Sequence, residues 1–146
     1  MGIDKIYPAD ISVLLKPILF PTGRIGINNM LTDITLTDET WFHFKCSGST
    51  ETKIMLQVEH CGKSNRDPDT AIIIEQIKFN NITSPKFAWQ GVYYPNYPEH
   101  YRKGEVLDSV LSSVTHMGWN GIWKLEFTLP IYTWIHQVEN LGWIYD

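Results

Sequence analysis

Apolar and polar residues alternate along much of the chain with a period of two, the signature of strands that bury one face. In Thr40–Cys46, Phe42, Phe44 and Cys46 fall on one face and Trp41, His43 and Lys45 on the other. Lys53–Glu59 repeats the pattern, with Ile54, Leu56 and Val58 set against Met55, Gln57 and Glu59. Ile122–Leu129 places Trp123, Leu125, Phe127 and Leu129 opposite Ile122, Lys124, Glu126 and Thr128. Arg24–Leu36 alternates around Ile25 and Ile27, then around Ile34 and Leu36, with an Asn28-Asn29 turn signal between. Ala71–Phe79 opens on a continuous apolar run and ends at Asn80-Asn81. It predicts a strand buried on both faces or one running beneath the segment that follows. Asp10–Phe20 is apolar but split by Pro17, which predicts a short strand, a bend and a second extended piece.

Elsewhere the period changes. Leu107, Val110, Leu111 and Val114 predict a short helix within Glu105–Val114. In Pro130–Gly142, Ile131, Trp134, Ile135, Val138 and Leu141 recur at helical spacing. Pro130 suits a first helical position and Gly142 the residue after the last turn, so a helix of about ten residues is expected. The competing reading is a strand, because Tyr, Thr, Trp and Ile all favour one. Trp143–Tyr145 would add a final extended segment, and Met1–Pro8 is a leading segment. Short strands at intervals of about ten residues, with few helices, predict an all-β antiparallel sandwich of jelly-roll type. One or two short helices, including the C-terminal one, complete it. A chain of 146 residues fits one such domain, 1–146, and can bury a core without a metal or disulfide.

Composition narrows the function. The net charge is −4 and the chain has no Lys/Arg cluster, which argues against nucleic-acid binding. No apolar run approaches the ~20 residues of a spanning helix, so no membrane partner is expected. Met1–Pro8 carries Asp4 and has no apolar core, unlike a secretory signal. Cys46 and Cys61 are the cysteines. If Thr40–Cys46 and Thr52–His60 formed a hairpin centred near Ser49–Thr50, the two would lie roughly 20 Å apart, too far for a disulfide. Free thiols suit a soluble protein made in a reducing cytoplasm, where the Asn81-Ile82-Thr83 sequon has no meaning.

The stretch Lys86–Tyr101, KFAWQGVYYPNYPEHY, stands out. Six aromatic residues, Phe87, Trp89, Tyr93, Tyr94, Tyr97 and Tyr101, fall within sixteen positions, interrupted by Pro95 and Pro98. It is expected to be a loop inserted on the sheet scaffold. Exposed Tyr and Trp faces pack against the apolar faces of sugar rings, while Gln90, Asn96 and Glu99 would supply hydrogen bonds. Trp89, Tyr93, Tyr94, Tyr97, Glu99 and Tyr101 are thus the candidate ligand or interface residues. The same residues could instead anchor the loop on the core, or form a subunit interface. Catalysis has less to rest on. His43, His60, His100, His116 and His136 form no zinc-ligand spacing, there is no nucleophile elbow, and nothing pairs the carboxylates as a glycosidase requires. A non-enzyme is expected, with no cofactor unless calcium binds. Asp67 and Asp69, in the polar loop Cys61–Thr70, offer the oxygen ligands a hard cation takes, although Asp-Pro also builds a simple polar turn.

Two resemblances follow from these residues. The strand AIIIEQIKFNNI, preceded by an Asp-rich loop, resembles part of jelly-roll carbohydrate-binding modules. The calcium-dependent type among them holds the ion on acidic loops, and the resemblance implies Asp67 and Asp69 in that role. The closing GWNGIWKLEFTLPIYTWIHQVENLGWIYD, with YYPNYPEHY, resembles small structural proteins of tailed bacteriophages of the cyanophage kind. That likeness implies a virion-associated, non-enzymatic role. Together they give two expectations: glycan recognition through residues 86–101, or a virion or other assembly subunit that self-associates through the same residues into a homo-oligomer. A carbohydrate hydrolase ranks third.

Overall fold

A computed structural model describes residues 5–61, 70–96 and 110–139. Its elements in chain order are β1 (Tyr7–Ile18), β2 (Thr22–Ile27), β3 (Met30–Thr35), β4 (Thr40–Gly48), β5 (Lys53–Cys61), β6 (Ala71–Phe79), β7 (Ile82–Thr83), α1 (Pro85–Trp89), β8 (Val92–Pro95), β9 (Leu111–Ser112), β10 (His116–Met117), β11 (Gly121–Thr128) and α2 (Ile131–Glu139). The fold is an antiparallel β-sandwich. One sheet runs β10-β6-β1-β4 with β7 also paired to β6, and the other runs β3-β2-β5-β11-β8-β9. Between them lies an apolar core fed by alternate residues: Ile11, Val13 and Leu15 from β1, Ile54, Leu56 and Val58 from β5, and Trp123, Leu125 and Phe127 from β11. Each such side chain removes apolar surface from water at about 25 cal/mol per Å², the main force holding the sheets together.

Local chemistry sets the corners. Asn28 and Asn29 turn β2 into β3 with φ of 52° and 67°, and Asn80 and Asn81 turn β6 into β7 with φ of 50° and 67°. Asparagine tolerates this left-handed backbone, which two-residue hairpin turns demand. The first turn is held by Gln57, whose Oε1 accepts from the Asn29 N–H at 2.7 Å and whose Nε2 donates to Asn29 Oδ1 at 2.9 Å. The helix expected from Pro130 is α2, which buries Ile131, Trp134 and Ile135 against the core. Tertiary burial of that stripe outweighs the β-propensity of its residues.

Several expectations are corrected. β4 and β5 are not a hairpin: β4 pairs with β1, whereas β5 pairs with β2 and β11 in the other sheet. Ser49–Thr52 therefore crosses between layers, and the cysteines remain free. β1 is one continuous strand through Pro17. Pro8 pairs only towards β4 and Pro17 only towards β6, so each proline sits where β1 has a single neighbour and its missing N–H disturbs no second ladder. Of the predicted helix Glu105–Val114, Leu111–Ser112 is instead the short strand β9, and residues 105–109 lie outside the described residues. Met1–Asp4 and Trp143–Tyr145 also lie outside them.

Candidate functional site

Over its described part, residues 86–96, the segment is not a loop laid on the sheet. Its first part is α1. Ser84 caps the helix, its hydroxyl accepting from the Lys86 N–H at 3.2 Å, and Pro85 supplies the first-turn φ. The Ser-Pro pair was the signal for this helix, which at five residues is too short to show a 3.6-residue period. Its second part is β8, a true sheet strand between β11 and β9.

That placement separates the aromatics. Phe87 points inward and is fully buried, in contact with Phe79 and Trp134. Tyr93 is 1% exposed, so its expected role as a ligand-facing residue is corrected: strand alternation turns it into the core. There its hydroxyl donates to the Trp119 carbonyl and accepts from the Trp119 N–H at 3.0 Å. Tyr94, one step along, faces outward and is 40% exposed. Trp89, at the end of α1, is 51% exposed. Tyr97, Glu99 and Tyr101 lie outside the described residues, as do Asp67 and Asp69.

The two exposed aromatics line different clefts. Tyr94 borders an open shelf of about 410 Å³ with Glu59, His60, Asn96, Asn120 and Ile122. The Lys124 ammonium lies 5.4 Å from the Tyr94 ring centre. Trp89 borders a more recessed cleft of about 290 Å³, walled by Ile74–Ile77 of β6 on one side and by Thr83, Ser84, Pro85 and Ala88 on the other.

The Trp89 cleft has a structural origin in β6. β1 pairs along the whole length of β6, so β7 and β10 share its other edge. β10 covers Ile72 and Ile73 and β7 covers Lys78 and Phe79. Ile74 donates its N–H to the Thr115 carbonyl at 2.9 Å, and beyond it no strand among the described residues pairs with this edge until Lys78. The register against β1 also slips here: Leu14 faces Gln76 and Leu15 faces Ile74, leaving Glu75 as an extra residue. This bulge lets Ile72 and Ile74, then Ile77 and Phe79, all point inward, while Glu75 and Gln76 are both exposed. The sequence records it as a slip in alternation within AIIIEQIKF.

Ser113, at φ 62°, ties down the backbone at the end of α1. Its hydroxyl donates to the Trp89 carbonyl at 2.9 Å and its N–H to the Gly91 carbonyl at 3.2 Å. Gly91 is required because a Cβ there would sit 2.0 Å from the buried Trp123 ring. Burial, and then the Asp10 carboxylate, push the Cys46 thiol above its ordinary pKa, so it is a poor nucleophile. Among the described residues, no three His, Cys, Asp or Glu side chains gather as a metal site. No helix there is long and apolar enough to cross a membrane.

No protein-family model and no curated protein matches this chain. Among solved structures it is similar to vCBM60 in its selenomethionine form, described in work on circular permutation between two families of calcium-dependent carbohydrate binding modules. The TM-score is 0.51 at 13% identity, and the alignment covers 80% of this chain and 89% of that one. At that identity the likeness is one of fold.

Proposed function

We propose that the protein is a non-catalytic glycan-binding module whose binding element is the Trp89 cleft. The observation that carries this reading is a half-exposed indole beside a recess lined with polar groups. Trp89 is 51% exposed, and its ring pairs with no other aromatic or cationic side chain among the described residues. Glu75, Gln76, Thr83 and Thr115 supply donors and acceptors around it. Small-ligand sites join an apolar platform to a few placed polar groups in this way. The shared fold with a carbohydrate-binding module supports the class of ligand. Each of the two clefts carries one described carboxylate, Glu75 or Glu59, whereas glycoside hydrolysis uses a facing pair about 5–9.5 Å apart.

Trp89→Ala, measured on a glycan array and by titration calorimetry, should abolish binding while the melting temperature stays within a few degrees. Retained binding in a folded variant would overturn the reading.

Self-association is the second reading, favoured by a different surface from residues 86–101. Ile18 at the end of β1 and Leu19 and Phe20 just after it form an exposed apolar run. Phe20→Ser should shift the sedimentation profile towards monomer if that run is an interface. An unchanged profile removes it.

A further inference from the structure

An unpaired strand edge presents a row of N–H and C=O groups to any chain that can join it. Among the described residues, most edges of this sandwich are short or guarded. β6 is covered by β7 and β10 and bulged between them, β9 has two residues, and β3 has six and carries Asp33. β4 differs. It closes the first sheet, runs nine residues from Thr40 to Gly48, and holds no proline. Its register with β1 is unbroken from Tyr7 with Gly48 to Leu15 with Thr40. Its inward residues Phe42, Phe44 and Cys46 pack on the core yet are only half-buried. The direction of its backbone groups follows from β1. The Asp10 N–H donates to Asn80 Oδ1 at 2.8 Å, and the Asp10 carbonyl accepts from the Asn80 N–H at 2.9 Å, so both groups point to the β6 side. Asp10 is in register with Lys45, and in an antiparallel ladder the residue opposite such a position also turns its groups away. The N–H and C=O of Trp41, His43, Lys45 and Ser47 therefore line the open edge.

We infer that β4 is a dimer edge, pairing antiparallel with β4 of a second copy about a two-fold axis at Phe44. The strand is complementary to itself in this register. All nine residues overlap, and the outward groups of Trp41 meet those of Ser47, and those of His43 meet those of Lys45, across the axis. On the inner side Phe44 meets its own copy and Phe42 meets the smaller Cys46, so each half-buried apolar row completes the other. A foreign strand would have to supply that same row. Charge permits the pairing, because β4 carries no Asp, Glu or Arg and its Lys45 faces His43 rather than its own copy. Two-fold pairing of this kind is the commonest closed assembly. The surface is separate from the Ile18–Phe20 run, since β4 extends along β1 only as far as Leu15. The dimer stands without the glycan reading, but its use rests on it. The Trp89 cleft lies at β6, on the far side of the same sheet. The joined order β6-β1-β4-β4-β1-β6 would hold a cleft at each end, with the two β6 strands about 24 Å apart. Such a dimer binds a glycan-coated surface bivalently.

The test is sedimentation of the whole chain over a concentration series. A reversible two-chain species is expected, and Lys45→Pro should weaken it by about tenfold or more, since main-chain hydrogen bonds carry this mode of pairing. The Lys45 N–H faces the open edge, so the proline removes a donor that the second copy needs and β1 does not use. Phe44→Cys, made together with Cys46→Ser and Cys61→Ser, reads the register without that variant. Mild oxidation should lock it as a covalent dimer, whereas His43→Cys in the same background should stay unlocked because it faces Lys45. On surfaces densely coated with cello-, xylo- or maltohexaose, Lys45→Pro should lose about tenfold or more in apparent affinity while binding the free hexasaccharide as the natural protein does. A monomer throughout the series, a dimer that folded Lys45→Pro leaves intact, or a Phe44→Cys chain that does not lock would each overturn the β4 edge. A dimer that binds none of the three glycans leaves this pairing standing and overturns the glycan reading alone.

Discussion

Phe87→Ala tests how α1 is held, and therefore what places Trp89. Phe87 is 0% exposed, and its ring centre lies 5.1 Å from Phe79 at 75° and 5.8 Å from Trp134 at 41°. Phe79 in turn meets Phe127 at 4.9 Å and Trp134 at 5.1 Å. The four rings come from α1, β6, β11 and α2, so one aromatic cluster joins both sheets and both helices. Truncating a buried Phe costs about 3–5 kcal/mol. The upper half of that range is expected, because two edge-on or tilted ring pairs are lost along with the buried area. For a chain of this length each kcal/mol is about 3–4 °C, so the melting temperature should fall by about 10–20 °C. Urea unfolding should show a lower midpoint at unchanged slope.

The same substitution should reach the ligand. A helix of five residues has no stability of its own, so docking through Phe87 maintains α1. Well below its melting temperature, Phe87→Ala should weaken glycan binding although the Trp89 side chain is intact. Leu56→Ala is the control. It sits fully buried on β5 and should cost about 2–5 kcal/mol while leaving affinity alone. A cost below about 1.5 kcal/mol for Phe87→Ala would refute the packing assignment. Equal affinity in both variants would refute the positioning role.

Gly91→Ala should destabilise by about 1–3 kcal/mol or more, read by thermal unfolding, because the added methyl meets the rigid, buried Trp123 ring at 2.0 Å. A neutral result would mean that β8 can withdraw from β11. Calcium is testable separately through the acidic loop. If Asp67 and Asp69 hold an ion, chelation lowers the melting temperature of the natural protein and leaves Asp67→Asn/Asp69→Asn unmoved. Identical responses in both proteins would remove calcium from the account.

The sequence was most legible where one residue decides the local geometry. Paired asparagines mark both tight turns because few other residues tolerate their φ. Strict alternation in β4 puts Phe42 and Phe44 inward and Trp41 and His43 outward, as read. Partner choice was not legible. Thr40–Cys46 and Lys53–Glu59 alternate equally well as a hairpin or as strands in facing sheets, and only the pairing of β1 with β4 decides. Residues 86–96 were illegible for another reason. A five-residue helix followed by a four-residue strand gives neither period room to appear, so density of aromatics stood in for structure. The site suffered with it. Tyr93 and Tyr94 are alike in sequence and opposite in exposure, which only the strand they lie on decides.

The bulge at Glu75 ties edge protection and the opening of the cleft to one residue. An unpaired sheet edge invites another chain to pair with it, and bulges and short covering strands are the usual protection. Here β10 and β7 shield the ends of the β6 edge and the extra residue distorts the middle, which also opens the cleft. A peptide strand needs a straight ladder, so this edge suits a ligand held by side chains instead. Deleting Glu75 separates these roles. In the remaining AIIIQIKF the inward residues Ile72, Ile74, Ile77 and Phe79 fall at every second place, and Leu14 and Leu15 keep Gln76 and Ile74 as partners, so the sandwich should fold with equal or higher melting temperature. The straightened edge should then bind glycan at least tenfold more weakly and self-associate more readily in sedimentation. Unchanged affinity in a folded deletion would show that the bulge serves the sheet alone, and an unfolded one that the register slip is itself structural.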